Sequence, residues 1–267
     1  MRTALALVIA AASAVGPVAR TRPAAADPAG PRVLTAPTAW LPRAGTAAAM
    51  LSVDHRGDRA AVVSYGLGDL AEVDLGSDSD IRACTDCARR PVPAALGRAA
   101  FRLGVRQHAW FPGMPALVLG VRTSFAARGH AVHGARASDA YVVASRDLGV
   151  VRAHLGIAAI AAGIAGARAP ATLRPLAALE IHPPMYPRSS LLADIAWEPI
   201  LDAQRGPTLE WLLGIGVRYQ AFRWASAELA VRVREAEDLG ASTVMLRVNA
   251  VLERGPSTGP RSDRESR

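Results

Sequence analysis

Alternation of apolar and polar side chains with a period of two is the feature that most constrains this sequence, and it recurs after residue 46. Within the segment 209–219, for example, Trp211 and Leu213 alternate with Glu210 and Gly214. Only an extended strand places successive side chains on opposite faces, because a helix would mix the two sets. The alternation predicts twelve strands, at 47–55, 60–68, 70–76, 97–107, 115–126, 139–147, 149–160, 171–182, 190–198, 208–220, 222–234 and 241–252.

Two segments also fit a helix. Residues 225–239 are rich in Ala, Glu, Arg and Leu, and residues 155–169 form an Ala/Ile/Gly stretch. Several of these residues are good helix formers. Because the flanking segments alternate so regularly, we expect strands here too, and hence an all-β chain with a single domain at 47–252.

The composition of the polar face distinguishes a membrane barrel from a soluble sandwich. That face carries glycine and arginine in register, as in the run 102–106, where Gly104 stands between Arg102 and Arg106. Small positions beside long charged side chains suit a crowded interior, and a tilted strand needs roughly 9–11 residues to cross a bilayer. Trp211 and Tyr219 stand at opposite ends of one apolar face, where aromatic girdles belong. The sequence therefore predicts a closed antiparallel transmembrane β-barrel of about twelve strands.

The connections between the predicted strands differ in length. Long ones are expected after strands three, five, seven and nine, at 77–96, 127–138, 161–170 and 199–207. Membrane barrels have short periplasmic turns and long outer loops. If the first strand starts on the periplasmic side, these four loops lie outside the cell.

The first residues of the chain suggest an exported protein. A basic start, an apolar stretch and the run Ala24-Ala25-Ala26 predict a signal peptide at 1–26, cleaved after Ala26. Residues 27–46 are then expected to form a periplasmic segment, and the polar residues 253–267 a disordered tail. The body of the chain has no uninterrupted apolar run of 18 residues, which argues against helical membrane spans.

The charge is basic but unusual in type. The formal net charge is +8, and all 31 basic residues are arginine. Because phosphate contacts to nucleic acid use both lysine and arginine, we interpret this as a compositional bias rather than a nucleic-acid surface.

The chain has two cysteines, Cys84 and Cys87, in the charged stretch 77–90. In an oxidising compartment they most simply close one small disulfide loop. A zinc site wants four ligands, and a redox motif needs a βαβ setting that is not visible here, so both are disfavoured. No cofactor and no metal site are predicted.

Three segments resemble Gram-negative outer-membrane β-barrels, including poorly characterised ones near exopolysaccharide systems. They are Thr35-Ala36-Pro37-Thr38-Ala39-Trp40-Leu41-Pro42-Arg43-Ala44-Gly45-Thr46, Ser64-Tyr65-Gly66-Leu67-Gly68-Asp69-Leu70-Ala71-Glu72-Val73 and the region 219–251. The resemblance implies a location in the outer membrane, contact with its lipid and lipopolysaccharide, and exopolysaccharide machinery as a candidate partner.

Function must then come from the inward face of the barrel and from its loops. The charged residues and histidines predicted to face inward are Glu72, Asp74, Arg102, Arg106, Arg122, Arg152, His154, Arg174, Glu180, His182, Asp194, Glu198, Glu210, Arg218, Glu228, Arg232, Arg234 and Arg247. We interpret them first as a lumen network in which arginines and carboxylates neutralise each other, in a structural, docking or transport protein. The alternative is an anion-selective pore or an exopolysaccharide- or lipid-associated transporter, since surplus arginine attracts anions.

A hydrolase is the competing class of function. His154 and His182 could act as bases, with Glu180 or Asp194 as orienting groups. No serine in a recognisable motif accompanies them, and the patterns GxSxG and HExxH are absent. The sequence therefore favours a non-enzymatic protein without catalytic residues. In a docking protein, the basic loops 77–96 and 127–138 would face lipopolysaccharide phosphates.

Overall fold

The computed structural model of the chain describes residues 32–78, 81–84, 92–93, 96–126, 134–164 and 166–252. In this part of the chain the backbone forms fourteen strands and a short 3-10 helix, Leu239–Ala241. The strands are β1 (Ala47–Asp54), β2 (Arg59–Leu67), β3 (Ala71–Asp78), β4 (Arg82–Cys84), β5 (Val92–Pro93), β6 (Leu96–Val105), β7 (Ala116–Ala126), β8 (Arg136–Asp147), β9 (Val151–Ile164), β10 (Ala167–Ile181), β11 (Ser189–Asp202), β12 (Gly206–Phe222), β13 (Ala225–Arg234) and β14 (Thr243–Leu252).

Twelve of these strands close into an antiparallel barrel. Each pairs with its neighbour in chain order once the short β4 and β5 are passed over, and β1 pairs with β14. The pairing of β10 with β11 completes the ring. The predicted fold class is confirmed, and the two alanine-rich segments contribute the strands β9 and β13.

The predicted pattern of long loops was partly wrong. The expected connections 161–170 and 199–207 are largely strand, because β9 runs to Ile164, β10 begins at Ala167, β11 runs to Asp202 and β12 begins at Gly206. The alternation of side chains fades in these stretches, but the backbone ladder between the strands continues. The barrel wall is therefore tallest at β9–β12.

The outer surface of the barrel is apolar. Large hydrophobic side chains stay exposed on its outward face, with Leu173 64% and Leu51 60% exposed. By contrast, Glu72, Asp74 and Arg102 are at most 1% exposed. A soluble protein would bury the first group and hydrate the second, so this arrangement is that of a barrel surrounded by lipid.

Exposed aromatic side chains gather at the end of the barrel where β1 begins and β14 ends, here called the terminal end. Trp110 and Phe111 lie in the β6–β7 turn, Tyr186 in the β10–β11 turn, and Phe222 and Trp224 at the β12–β13 turn. Aromatic girdles occupy the membrane–water interface in such barrels. We therefore place one bilayer interface at the terminal end.

The opposite end of the barrel, here called the lid end, carries β4, which belongs to the β3–β6 connection. β3 and β11 are six strands apart around the ring, yet β4 of this connection pairs in parallel with Ile200–Asp202 of β11. Ile81 and Ala83 are buried there against Leu201. Residues 81–84 of this connection therefore form a lid strand that lies across the lumen, and the two residues of β5 pair with it.

Candidate functional site

Residues 32–42 fill the lumen as a plug, and residues 43–46 connect the plug to β1. Val33 and Leu34 are fully buried and pack on inward side chains of the barrel wall. The sequence predicts a periplasmic segment at 27–46. For the described residues of the plug this prediction is wrong, because they lie inside the barrel. Buried arginines in the wall attract the backbone carbonyls of this segment, which explains why it enters the barrel.

Asp194 of β11 anchors the plug through its backbone amides. Its Oδ2 accepts hydrogen bonds from the amides of Leu34 at 3.2 Å, Thr35 at 2.5 Å and Ala36 at 2.7 Å. A carboxylate that accepts several amides is a strong, charge-assisted anchor. Asp194 thus serves the plug rather than an arginine of the wall.

Arginines hold the plug carbonyls from both sides of the lumen. Arg247 donates to the carbonyls of Val33 and Leu34, and Arg218 donates to that of Val33. Across the lumen, Arg102 donates to the Thr38 carbonyl. The wall therefore grips the plug by its main chain, so that many plug sequences could be held in the same way.

The same arginines are neutralised by buried carboxylates. Glu228 accepts from Arg218 at 2.9 Å and from Arg247 at 3.1 Å, while Glu180 accepts from Arg218 at 2.9 Å. Glu72 pairs with Arg102 at 2.5 Å. Such pairs are expected where charged groups leave water, because an unpaired buried charge is costly.

Between the plug and the lid strand lies a small, half-open cavity with about 40 Å³ of space open to water, here called the lumen cavity. A space of this size holds a few water molecules or one small anionic group. The cavity is lined by Asp139 on β8, Ile160 on β9 and Glu198 on β11. Closer to the lid end, residues of the same three strands are buried beside the lid strand. The charged lining of the cavity comprises Arg32, Arg98, Arg122, Arg174, Asp139 and Glu198.

Two of the cavity arginines pair with carboxylates, whereas a third, Arg174, stacks on a tryptophan ring. Arg98 pairs with Asp74 at 3.2 Å, and Arg122 pairs with Asp139 at 2.5 Å. The guanidinium of Arg174 stacks on Trp197, 4.6 Å from the ring centroid. Arg174 forms no salt bridge with the described residues. Its buried Nε also lacks an acceptor among these residues. Arg174 is therefore the cavity cation best placed to receive an external anion.

The side chains of a serine, a histidine and a glutamate lie in contact inside the lumen, next to the plug. The Ser145 Oγ lies 2.7 Å from Nδ1 of His154, whose Nε2 lies 3.3 Å from Oε1 of Glu180. These residue types make up a hydrolytic triad. However, Ser145 is fully buried, and its Oγ accepts the amide of Ala39 at 2.7 Å. As folded, the serine serves to hold the plug.

The residues predicted for the lumen network fall into two groups. Four stand near a rim: Arg106 is more than half exposed beside Asp69, Arg152 pairs with Asp147, and His182 and Glu210 are partly exposed. Arg106 is a correction, because β6 ends one residue earlier and its side chain reaches solvent. The others lie within the lumen, and they are Glu72, Asp74, Arg102, Arg122, His154, Arg174, Glu180, Asp194, Glu198, Arg218, Glu228, Arg232, Arg234 and Arg247.

Sequence reasoning missed several lumen residues. Arg98 shares the face of Arg102, and Asp139 shares that of Ser145, so the same period of two could have identified them. Arg32 gave no such signal, because it lies in the plug and outside any strand.

Several predictions fall outside the described residues. They are the signal peptide at 1–26, the tail at 253–267 and the disulfide, since Cys87 and the Cys84 side chain are not described. Within the described residues no helix is long and apolar enough to span a membrane. The same residues contain no group of three or more His, Cys, Asp or Glu side chains arranged to hold a metal ion.

The comparisons with known proteins found matches among solved structures only. No protein-family model matches the chain. No curated protein matches it either. Among solved structures, a KdgM porin aligns with a TM-score of 0.49 and 4% identity, covering 77% of this chain and 98% of the porin. Outer membrane phospholipase A from Escherichia coli aligns at 0.42 and 10%, covering 79% and 97%, and OmpT of Vibrio cholerae at 0.39 and 9%, covering 78% and 98%. Likenesses this weak carry no argument about what the chain does.

Proposed function

We propose that this protein is a plugged outer-membrane barrel that binds an anionic solute in its lumen cavity and passes it only when the plug moves. One observation carries the proposal: the cavity that adjoins the plug is lined by four arginines and two carboxylates. A surplus of arginine in a partly dry site attracts phosphate or carboxylate groups. Acidic saccharides carry the same groups, so a fragment of an acidic exopolysaccharide is one such solute.

The fixed plug argues for gating rather than for a permanently open pore. Val33, Leu34 and Ala36 lie within the main buried cluster of the barrel, and Asp194 and Arg247 hold their backbone. Opening the lumen would break these charge-assisted hydrogen bonds, each worth about 1.5–3 kcal/mol. Such a cost keeps the closed state dominant until a ligand or partner offsets it.

Phosphate binding tests the anion site. The purified barrel is titrated with inorganic phosphate, and Arg174→Gln is compared with Arg188→Gln, which alters an exposed arginine in the β10–β11 turn. We expect R174Q to weaken binding at least about tenfold, since one charge-assisted contact is worth about 1.4 kcal/mol or more. R188Q should bind as the wild type does. No phosphate binding by the wild type, or equal binding by both variants, would refute the anion site.

Single-channel recording tests the plug. In a planar bilayer the wild-type protein should stay closed for most of the recording. Large, continuous conductance steps from the wild type would show an open pore and contradict the gating proposal.

A hydrolase is the second candidate, favoured by the contacts among Ser145, His154 and Glu180. Its nucleophile would act only after the plug leaves, because Ser145 is fully buried. A fluorophosphonate probe should then label a variant with a loosened plug, such as Asp194→Asn, and should not label the same variant carrying Ser145→Ala. Absence of labelling in both would leave the non-enzymatic proposal standing.

A further inference from the structure

The barrel wall is interrupted between β10 and β11. Their ladder covers Ala177–Ile181 against Leu191–Ile195 and stops there. Both strands nevertheless continue, β10 towards Ala167 and β11 towards Asp202, and each keeps its pairing with the neighbour on its other side. The gap is therefore confined to one boundary of an otherwise continuous wall.

Two prolines explain why the ladder stops. The amide of His182, just after β10, donates to the carbonyl of Val150, just before β9. Even-numbered residues of β10 therefore direct their backbone groups to β9 and odd-numbered ones to β11. The amide of Gln220 likewise donates to Arg188, so odd-numbered residues of β11 face β10. Pro175 and Pro199 thus occupy positions whose amides would bond across the gap. Proline has no N–H, so each of the next two hydrogen-bonded pairs in register, Pro175 with Trp197 and Leu173 with Pro199, loses a donor.

The lid strand limits the gap on the other side. β4 pairs with Ile200–Asp202, and the ladder with β10 ends at Ile195, so within the described residues neither strand ladder runs along residues 196–199 of β11. Four residues of extended chain span about 13 Å. This opening between β10 and β11, bounded by the Ala177–Ile195 pair and by β4, is here called the seam window.

Arg174 and Trp197 meet through the seam window. Arg174 shares its face with the buried Leu176, and Trp197 shares its face with the exposed Leu191 and Ile195. Side chains on opposite faces of a continuous sheet are separated by the backbone. The 4.6 Å distance from the guanidinium to the indole centroid therefore requires a gap in the wall.

The seam window joins two chemically different surroundings. Arg174, Leu176, Ala196 and Trp197 line the lumen cavity on its inner side. On its outer side, Leu173 is 64% exposed within the apolar surface of the barrel. A ligand held across the window would place an anionic group among arginines and a hydrocarbon chain against lipid.

We infer that the seam window is a lateral entrance through which the lumen cavity receives a membrane amphiphile with a phosphate or carboxylate head and a hydrocarbon tail. This rests on the proposed function, since the head occupies the same anion site. The tail stays in the window and the lipid, so the ligand need not pass the plug. Arg174 binds the head, and the Trp197 ring moves aside for the tail.

Hexyl phosphate and inorganic phosphate are suitable probes, because they share a head and differ in the tail. Binding is measured to the barrel in nanodiscs of zwitterionic lipid, with empty nanodiscs correcting for partition. Pro175→Val with Pro199→Val returns the two missing amide donors and should close the window. Pro115→Val with Pro184→Val is the matched control, since both prolines lie in or beside terminal-end turns.

A reversible lock gives a second way to close the window. Continuing the register of the paired part brings Leu173 opposite Pro199, so a cysteine pair is placed there in a background with Cys84 and Cys87 changed to serine. The lock is compared before and after reduction. A cysteine pair at Leu179 and Ala193, which already face each other in the ladder, is its control.

We expect the wild type to bind hexyl phosphate at least tenfold more tightly than inorganic phosphate. Closing the window with the valine pair or with the disulfide lock should abolish the preference for hexyl phosphate and leave the affinity for inorganic phosphate unchanged. Reducing the disulfide should restore the preference. If both closed variants keep the tenfold preference, or if the wild type binds the two probes equally, the lateral entrance is refuted and the anion site stands. If the wild type binds neither probe, the proposed function fails, and the entrance fails with it.

Discussion

The Oδ2 of Asp194 accepts a 2.7 Å hydrogen bond from the backbone amide of Ala36, and this contact fastens the plug to the barrel wall. Replacing Asp194 by Asn keeps the shape but removes the charge. We expect the plug to lose about 2 kcal/mol of anchoring, because hydrogen bonds to a charged group are worth about 1.5–3 kcal/mol. Planar-bilayer recordings should show frequent opening steps for D194N. E235Q, at an exposed position next to β13, should stay closed. Equal closure of both variants would contradict the role of Asp194.

Glu228 is a buried carboxylate that lies between two arginines of the lumen network. It accepts from Arg218, Arg247 and Asn249. Glu228→Gln should lower the free energy of unfolding by about 3–5 kcal/mol, since it leaves two buried arginines less compensated. Glu237, which pairs with Arg56 near the lid end, is partly exposed, and Glu237→Gln should cost at most about 1 kcal/mol. Urea unfolding in lipid vesicles compares the two, and equal effects would show that burial does not matter here.

Gly120 makes room for the ring of Tyr141, which lines the lumen cavity. A Cβ at position 120 would collide with the end of that ring. Gly120→Ala should therefore displace Tyr141 and destabilise the barrel by about 1–3 kcal/mol, as overpacking does. Gly240→Ala meets only ordinary contacts and should be nearly neutral. Thermal unfolding, followed by the change in gel mobility on heating, checks both, and a neutral G120A would contradict the tight fit.

Asp58, in the turn between β1 and β2, should make stability depend on pH. Burial, followed by a hydrogen bond with Asp54 and its negative charge, raises the pKa of the Asp58 carboxyl from 3.8 to about 7, although Arg82 and Arg232 oppose the shift. A folded-state pKa above the unfolded value favours the protonated, folded form. The contribution is thus complete below about pH 4 and is lost as the pH rises through about 7.

The variant Asp58→Asn tests this pH dependence. Its melting temperature should fall less than that of the wild type between pH 4 and 7. D69N, in a turn at the terminal end, should keep the wild-type slope. A wild-type slope in D58N would contradict a raised pKa.

Residues within strands were largely predictable. Period two located all twelve barrel strands, because one face of each strand meets lipid and the other meets the crowded lumen. The same parity identified buried charges such as Glu180, Arg218 and Glu228. Strand ends were less certain in β9 and β11, where small residues and Pro199 weaken the alternation but the backbone ladder continues.

The sequence by itself determined which side chains face lipid and which face the lumen, since neighbouring residues of a strand must point in opposite directions. Only the tertiary structure decided that residues 32–42 enter the barrel, that Ser145 contacts His154, and that the ladder between β10 and β11 ends at Ala177. These features depend on contacts between residues far apart in the chain. Local alternation carries no information about which carbonyl an arginine reaches or where two edges fail to pair.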